Sequence, residues 1–308
     1  MKVYNSIHEF KKLDNAVVTS GTFDGVHVGH QKILNRLKEI AEKFNGETVV
    51  ITYWPHPQLV LHPENEALKL LNTYPEREQL LKQQGLQHLI KIQFTKEFSQ
   101  IHSNEFITSI LVNAIGTKKL VIGHDHRFGK NREGSFDELK ITGPAYGFDV
   151  EEIPRQDVDS IGVSSSAIRK FLMQGNVEEA QHLLGRSYSI EGKVVKGDQL
   201  GRTLGYPTAN LFIESTHKLI PAEGIYAVTV LCEGGNFGGM LYIGTRPTLK
   251  NKKLAIEVNI FDFDQDIYGQ KITVNFIKFI RADKKFDNLD QLKDQLAKDK
   301  LDALDSLI

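Results

Sequence analysis

The feature that most constrains this chain is a change of period part-way along it. Up to Ile153, short β-branched runs ("AVVTS", "ETVVIT", "LIKIQF", "KKLVIG" and a weaker "FDVEEI") alternate with helix-period segments. In "HQKILNRLKEIAEKF", "PEREQLLKQQ" and "NEFITSILVNAI" apolar residues return every three or four positions. A helix between two strands carries the chain back to the same end of a sheet, so this alternation predicts a parallel sheet with helices on both faces. After a polar stretch, "PRQDVDSIGVSSS", two helices follow, the second with Asn176 at its N-cap and Glu179 at capping-box spacing. From "YSIEGKVV" onward the period falls to two, and glycine turns separate strands such as "GIYAVTVLCEGGNFGGMLYIG" and "KLAIEVNIFDFDQDIYGQKITVNFIKFI". A run of such hairpins closes as a sandwich or barrel. The amphipathic helix "DNLDQLKDQLAKDKLDAL" follows. One switch of style within 308 residues predicts two domains, residues 1–184 (α/β) and residues 185–308 (β).

Bulk properties narrow the function classes. A formal net charge of -1 gives no global pull toward nucleic acid or membrane, so any polyanion site must be local. Cys232 is the only cysteine, which excludes an internal disulfide and every cysteine-based zinc pattern. The start "MKVYNSIHEF" lacks the apolar core of a signal peptide, and no apolar run approaches membrane-spanning length. The expectation is a cytoplasmic protein with small-molecule ligands, no nucleic-acid or membrane partner, and at most weak self-association.

In a parallel sheet, ligands collect at the carboxyl ends of the strands. The first strand runs into "GTFDGVHVGH", with Asp24, His27 and His30; the second into "YWPHP", with His56. The fourth runs into "GHDHRFGKNREG", with Asp125, Arg127 and Lys130, and "SSSAIRK" puts Ser164, Ser165, Ser166 and Arg169 at a helix start. Helix N-termini carry free N–H groups and partial positive charge, and glycines let backbone approach a ligand closely. Histidines three apart on such a start can point the same way. Hydroxyls and cations without an obvious carboxylate base suit transfer between phosphates, where the nucleophile is already an anion.

Blander readings exist for each motif. A His-x-x-His pair can ligate metal, but no cysteine and no His-Glu-x-x-His motif supplies further ligands. His56 between prolines can be a turn residue, and three serines can be only a helix cap. The chain has neither a phosphate-binding P-loop nor a Gly-x-Gly-x-x-Gly dinucleotide fingerprint.

The second half holds its own constellation, "GKVVKGDQLGRTLGYPTANL". Its glycines and Lys196 can cradle phosphate, and Thr208 and Asn210 flank Ala209, so on an extended segment they face one way. Their oxygens are hard donors of the kind Mg²⁺ takes alongside nucleotide phosphates. In "LAIEVNIF", Ile256, Val258 and Ile260 share one face, while Glu257 and Asn259 share the other. Phosphoryl transfer to an alcohol benefits from a base, and Glu257 is the candidate, set against a solvent-facing glutamate on an edge strand. The acidic run "DFDQD" mimics a calcium loop but has Ile267 where glycine is required and Thr273 where glutamate is required.

Both halves resemble one family. "FDGVHVGH", "RFGK" and "SSSAIR", in this order, resemble the adenylyltransferase half of the bacterial bifunctional riboflavin kinase/FMN adenylyltransferases (FAD synthetases), within the wider His-x-x-His nucleotidyltransferase superfamily. "GRTLGYPTANL", "GIYAV", "IGTRPT", "EVNIFDF" and "IYGQKITVNFIKFIR" resemble the riboflavin kinase module in order and spacing. The resemblance implies a Rossmann-like nucleotidyltransferase domain, then a six-stranded antiparallel β-barrel with a terminal helix. It implies FMN made from riboflavin and ATP in the second domain, and FAD with pyrophosphate made from FMN and a second ATP in the first.

Residue by residue, it implies a first ATP site of Gly21, Phe23, His27, His30, Ser165 and Arg169. The flavin nucleotide falls near Asp24, His56, Asp125 and Arg127. It implies a second ATP site of Gly197, Gly201, Arg202, Thr208 and Asn210, with Mg²⁺ on Thr208 and Asn210 and Glu257 acting on the ribityl hydroxyl. Departures are few: Asn259 stands where many members have histidine, and Asp283 where a longer acid is common. A flavin-sensing regulator with the same folds is the alternative, disfavoured by an intact Glu257, Thr208, Asn210 and histidine pair. An adenylyl-transferring enzyme acting on tRNA would need a basic appendage that this composition does not suggest.

Overall fold

In this computed structural model, residues 1–65, 67–123, 127–153, 162–197, 200–247 and 252–307 are described. Six parallel strands form the first sheet: β1 (Lys2–Tyr4), β2 (Ala16–Ser20), β3 (Glu47–Trp54), β4 (His88–Gln93), β5 (Thr117–Gly123) and β6 (Asp149–Ile153). Their order is β1-β4-β3-β2-β5-β6. Five are runs that the sequence marks; the edge strand β1 is too short for its period to register. Helix α1 (Val28–Lys43) follows β2, and α2 (Pro57–Leu61) and α3 (Tyr74–Gln83) follow β3. After β4 comes α4 (Ser103–Glu105), widening into a π-helix over Phe106–Ile115; α5 (Phe136–Thr142) follows β5.

Alternation along the strands feeds two cores. Val17, Val50, Leu89 and Val121 pack with Leu34, Leu37 and Ile40 of α1 and Leu81 of α3. Their strand neighbours Val18, Ile51, Ile90 and Leu120 pack on the other face with Phe106, Leu111 and Leu139. The sheet is therefore covered on both sides, as an all-parallel sheet requires. From β2 the chain builds outward through β3 and β4, then crosses back to lay β5 on the other side of β2. That reversal opens a crevice at the carboxyl ends of β2 and β5, where the polar loops lie.

The contacts divide the chain into two compact units, Met1–Ser165 and Ser166–Ile308. Helix α6 (Ser165–Met173) starts at the junction, and α7 (Val177–Leu184) packs on the barrel strand β12 (Lys271–Arg281). Asn176 occupies the cap position of α7, but its side chain makes no capping bond: its backbone sits at φ -77°, ψ 66°, outside the extended conformation that capping uses. Gly185, at φ 70°, ends α7 in the left-handed conformation glycine favours.

The second unit's other elements are β7 (Ser189–Val195), α8 (Leu200–Thr203), β8 (Ala209–Phe212), β9 (Gly224–Cys232), β10 (Gly235–Pro247), β11 (Lys252–Ile260) and α9 (Leu289–Asp305). With β12 the strands close an antiparallel barrel in the order β10-β11-β8-β7-β12-β9. Val228, Leu241, Val258, Val274 and Phe276 are fully buried, and the Phe276 ring meets Tyr226 edge-on at 5.1 Å. Helix α9 lies on the outside: Ala303 packs against Ala227, Met240 and Phe261, and Arg281 forks onto buried Asp299 with two bonds of 2.7 Å. Among the described residues no helix is long and apolar enough to cross a membrane.

Candidate active sites

The loop leaving β2 is bent by its own backbone. Phe23 (φ 48°), Gly25 (φ 88°) and Val26 (φ 40°) all lie in the left-handed region. For the two non-glycine residues this costs about 1–3 kcal/mol each. Several contacts offset it. Phe23 and Val26 are buried in the core under α1. Asp24, 1% exposed, accepts from the backbone N–H groups of Leu71 and Asn72, one on each carboxylate oxygen, both at 3.1 Å. Gly21 leaves room for the Phe23 ring, which a Cβ there would meet at 3.2 Å.

That bend delivers His27 to the N-cap of α1, where its Nδ1 accepts from the backbone N–H of His30 at 3.3 Å. The two imidazoles stack with centroids 3.6 Å apart, and Phe23 meets His30 edge-on at 5.2 Å. Burial, the facing His27 ring and the charge of Arg77 together hold His30 well below the ordinary imidazole pKa. In the free protein it is a neutral ring, suited to donate a hydrogen bond rather than to carry charge.

The serine-rich helix start reaches the same loop. Ser165 Oγ donates to the backbone oxygen of Asp24 at 2.8 Å. Arg169 stands one turn further along α6. His56, 6% exposed, caps α2 with its Nδ1 on the backbone N–H of Gln58, just after the cis Trp54–Pro55 bond. Arg127 is exposed beyond β5, and Asp125 lies outside the described residues. Two residues that the sequence does not announce complete the floor: Tyr53, whose hydroxyl bonds Ser20 Oγ at 3.0 Å and is pushed up to about 12 by burial, and Arg77, fully buried on α3.

The second constellation is built on the outer face of the barrel. Glu257 pairs across β11 and β10 with Tyr242, and across β11 and β8 with Asn210. Although it points away from the barrel interior, Glu257 is only 9% exposed, because the segment before β8 covers it. Thr208 Oγ1 lies 3.3 Å from Glu257 Oε2, and Asn259 Nδ2 donates to the backbone oxygen of Pro207 at 2.7 Å. The glycine loop presses on the same groups. A Cβ on Gly197 would come within 2.2 Å of Asn210 Nδ2, and one on Gly201 within 2.3 Å of the Tyr206 oxygen and 3.3 Å of Thr208 Oγ1. Arg202 follows on α8.

Beside Thr208 opens a cleft of about 420 Å³, walled by Pro207, Ala209, Phe263, Asp264 and Tyr268 among others. The acidic run that fails as a calcium loop is thus a cleft wall, a role visible only once the barrel closes. Asp283 finds a place too: its Oδ2 accepts from the hydroxyl of Tyr242, the cross-strand partner of Glu257, at 3.1 Å. The side-chain oxygens of Thr208 and Asn210 are hard donors of the kind Mg²⁺ takes alongside nucleotide phosphates, and Glu257 stands next to Thr208. Among the described residues no group of three His, Cys, Asp or Glu side chains gathers to hold a metal, at the histidine pair or elsewhere.

Two family models match this chain: one described as FAD synthetase over residues 9–167 and one described as riboflavin kinase over residues 184–307. A bifunctional riboflavin kinase/FMN adenylyltransferase from Escherichia coli (strain K12) is 37% identical over 306 residues, 98% of this chain and 97% of its own. The protein of that name from Bacillus subtilis (strain 168) is 35% identical over 294 residues, 94% and 92% of the two chains. A crystal structure described as a macrolide-efflux protein from Streptococcus pneumoniae matches with a TM-score of 0.88 at 34% identity, over 97% of each chain.

Proposed function

This chain belongs to the family of bifunctional riboflavin kinase/FMN adenylyltransferases, and on that premise we propose how its residues divide the two reactions. ATP phosphorylates riboflavin to FMN, and a second ATP gives its adenylyl group to FMN, forming FAD and pyrophosphate. We assign adenylyl transfer to residues 1–184 and the kinase to residues 185–308. The observation that carries this division is that each unit holds its own polar constellation, one around His30 and Ser165, the other around Thr208 and Glu257.

In adenylyl transfer the FMN phosphate attacks the α-phosphorus of ATP and pyrophosphate leaves. The attacking oxygen is already anionic, so no base is needed, and the site works by holding the phosphates in line. His27 and His30 give the triphosphate ring N–H donors at the start of α1, whose dipole adds partial positive charge. Ser165 anchors the second helix start to the loop, and Arg169 supplies the full charge. Gly21 and Phe23 shape the loop on which ATP lies. Asp24 holds that loop through Leu71 and Asn72, and we assign the flavin nucleotide to Asp24, His56, Asp125 and Arg127.

In the kinase, Glu257 accepts the proton of the ribityl hydroxyl as it attacks the γ-phosphorus. Gly197, Gly201 and Arg202 line the phosphates, and the cleft beside Thr208 takes the rest of the nucleotide. Thr208 and Asn210 would hold Mg²⁺, which when bound supplies charge neutralisation on the transferring phosphate.

The test is product chromatography after incubation with riboflavin, ATP and Mg²⁺. The parent yields FAD, Glu257→Ala yields neither flavin nucleotide from riboflavin, and His30→Ala stops at FMN. A Glu257→Ala variant that still makes FMN at the parental rate removes Glu257 from the role of base.

A further inference from the structure

Among the described residues Arg77 is the largest fully buried side chain, at 0% exposure on α3. Its position, four residues before buried Leu81, is one where leucine would serve the core without penalty. Burying a guanidinium costs several kcal/mol, and replacement by an apolar residue is often neutral or stabilising. Stability alone therefore gives no reason for an arginine here.

Its surroundings give one. Nη1 donates to the backbone oxygen of Tyr53 at 3.3 Å, and the guanidinium lies over the Trp54 ring, 5.4 Å from its centroid. Both contacts grip the end of β3, which runs on into His56 at the cap of α2. The Asp24 carboxylate faces Arg77 and partly offsets the cost of burying it, and Asp24 is the residue that holds the histidine loop. The remaining nitrogens, Nε and Nη2, are sealed from solvent and have no hydrogen-bond partner among the described residues; the same holds for His30 Nδ1 and Asn72 Oδ1. Charge and unfilled hydrogen-bonding capacity thus gather beneath the histidine pair.

We propose that Arg77 is a positioning residue for adenylyl transfer: its guanidinium ties the end of β3 to the Asp24 loop and presents a fixed positive charge beneath His30. It acts through His30 and does not touch substrate. The charged and titratable groups facing that imidazole are His27, from the same turn, and Arg77, from α3. Burial opposes its protonation most, His27 next, and Arg77 adds to both, reinforcing the neutral donor that the triphosphate meets. The inference rests on the assignment of His27 and His30 to the ATP phosphates.

Three variants of the full chain test it: Arg77→Met, Arg77→Lys and His30→Ala, with FAD formation from FMN and ATP followed between pH 5.5 and pH 9. Riboflavin phosphorylation in the same samples serves as control. Trp54, the only tryptophan, sits against Arg77 and reports by its fluorescence whether the first unit is folded. Arg77→Met should lower kcat with little change in KM and move the acid limb of the profile upward by about one pH unit, a tenfold change in proton affinity. Arg77→Lys, which keeps the charge, should restore the position of that limb.

A uniform loss of rate with the limb unmoved would make Arg77 merely structural and overturn the proposal. If Arg77→Met fails to fold, Arg77→Gln, which removes the charge but keeps hydrogen-bonding capacity, takes its place: a His30 imidazole that titrates where it does in the parent overturns the proposal, and one that titrates higher supports it. Full FAD formation by His30→Ala would instead overturn the site assignment beneath both readings.

Discussion

Ser165 Oγ bonds the backbone oxygen of Asp24 at 2.8 Å, joining two segments 141 positions apart in the chain. Asp24 spends its carboxylate on the backbone of Leu71 and Asn72, so three separate segments meet at one residue of the histidine loop. A loop strained at Phe23 and Val26 holds its shape only when its surroundings over-determine it, and these bonds do that.

Ser165→Ala removes one of those ties. A single hydrogen bond contributes about 1 kcal/mol, and loss of registration between the two helix starts adds to it. FAD formation should fall about tenfold, while FMN formation from riboflavin stays at the parental rate. Parallel assays of the two products on one preparation check this, and an equal fall in both would trace the effect to folding instead.

Glu257→Gln keeps the shape of the side chain and its contact with Thr208 but removes the base. General-base catalysis is worth about 10²- to 10⁴-fold. Riboflavin phosphorylation should drop by that order, with FAD formation from supplied FMN unchanged.

What could be read from the sequence divides by range of interaction. The β11 alternation of Ile256, Val258 and Ile260 against Glu257 and Asn259 is local, and it appears as written, with both sets buried. The pairing of the histidine motif with the serine motif was legible as a convergence of strand and helix ends. Arg77 was not: in "PEREQLLKQQ" a charge among charges reads as a solvated face, and only the packing of α3 on the sheet puts it inside. The role of Asp24 was hidden likewise, since the N–H groups that claim its carboxylate lie 47 and 48 residues on. Asn176 failed as a cap for a local reason: Gly175, at φ 82°, turns the chain first.

Gly197→Ala puts a Cβ 2.2 Å from Asn210 Nδ2. The neighbour is the end of a rotatable side chain, so the fold can accommodate the change by swinging Asn210 aside. That same swing withdraws an oxygen assigned to Mg²⁺. Stability should change by less than about 1 kcal/mol, while kinase activity falls at least tenfold and requires more Mg²⁺ for half-saturation. Thermal unfolding beside a magnesium titration of FMN formation checks both halves.

Arg281→Ala leaves Asp299 buried without its guanidinium, against 2.7 Å bonds on both carboxylate oxygens in the parent. Asp299 is 0% exposed and Arg281's side chain 20% exposed, so solvent screens little of the loss. Breaking such a pair costs about 3–5 kcal/mol. The barrel unit should unfold at lower denaturant, with α9 leaving first. Arg281→Ala combined with Asp299→Leu should recover most of the deficit; a double variant as unstable as the single one would mean the pair holds more than α9.

The low proton affinity of His30 sets the sign of a pH effect on the first unit. In the unfolded chain its imidazole titrates near the ordinary value of about 6.5, whereas in the folded unit it stays neutral well below that. Above about pH 7.5 both states are neutral and His30 contributes no pH dependence. As pH falls through about 6.5, the unfolded chain takes up a proton that the folded unit refuses, so stability declines toward acid, by at most about 1.4 kcal/mol per pH unit for this one group. Trp54 fluorescence during denaturation, read between pH 5 and pH 8, should show the parent losing stability in acid faster than His30→Gln does.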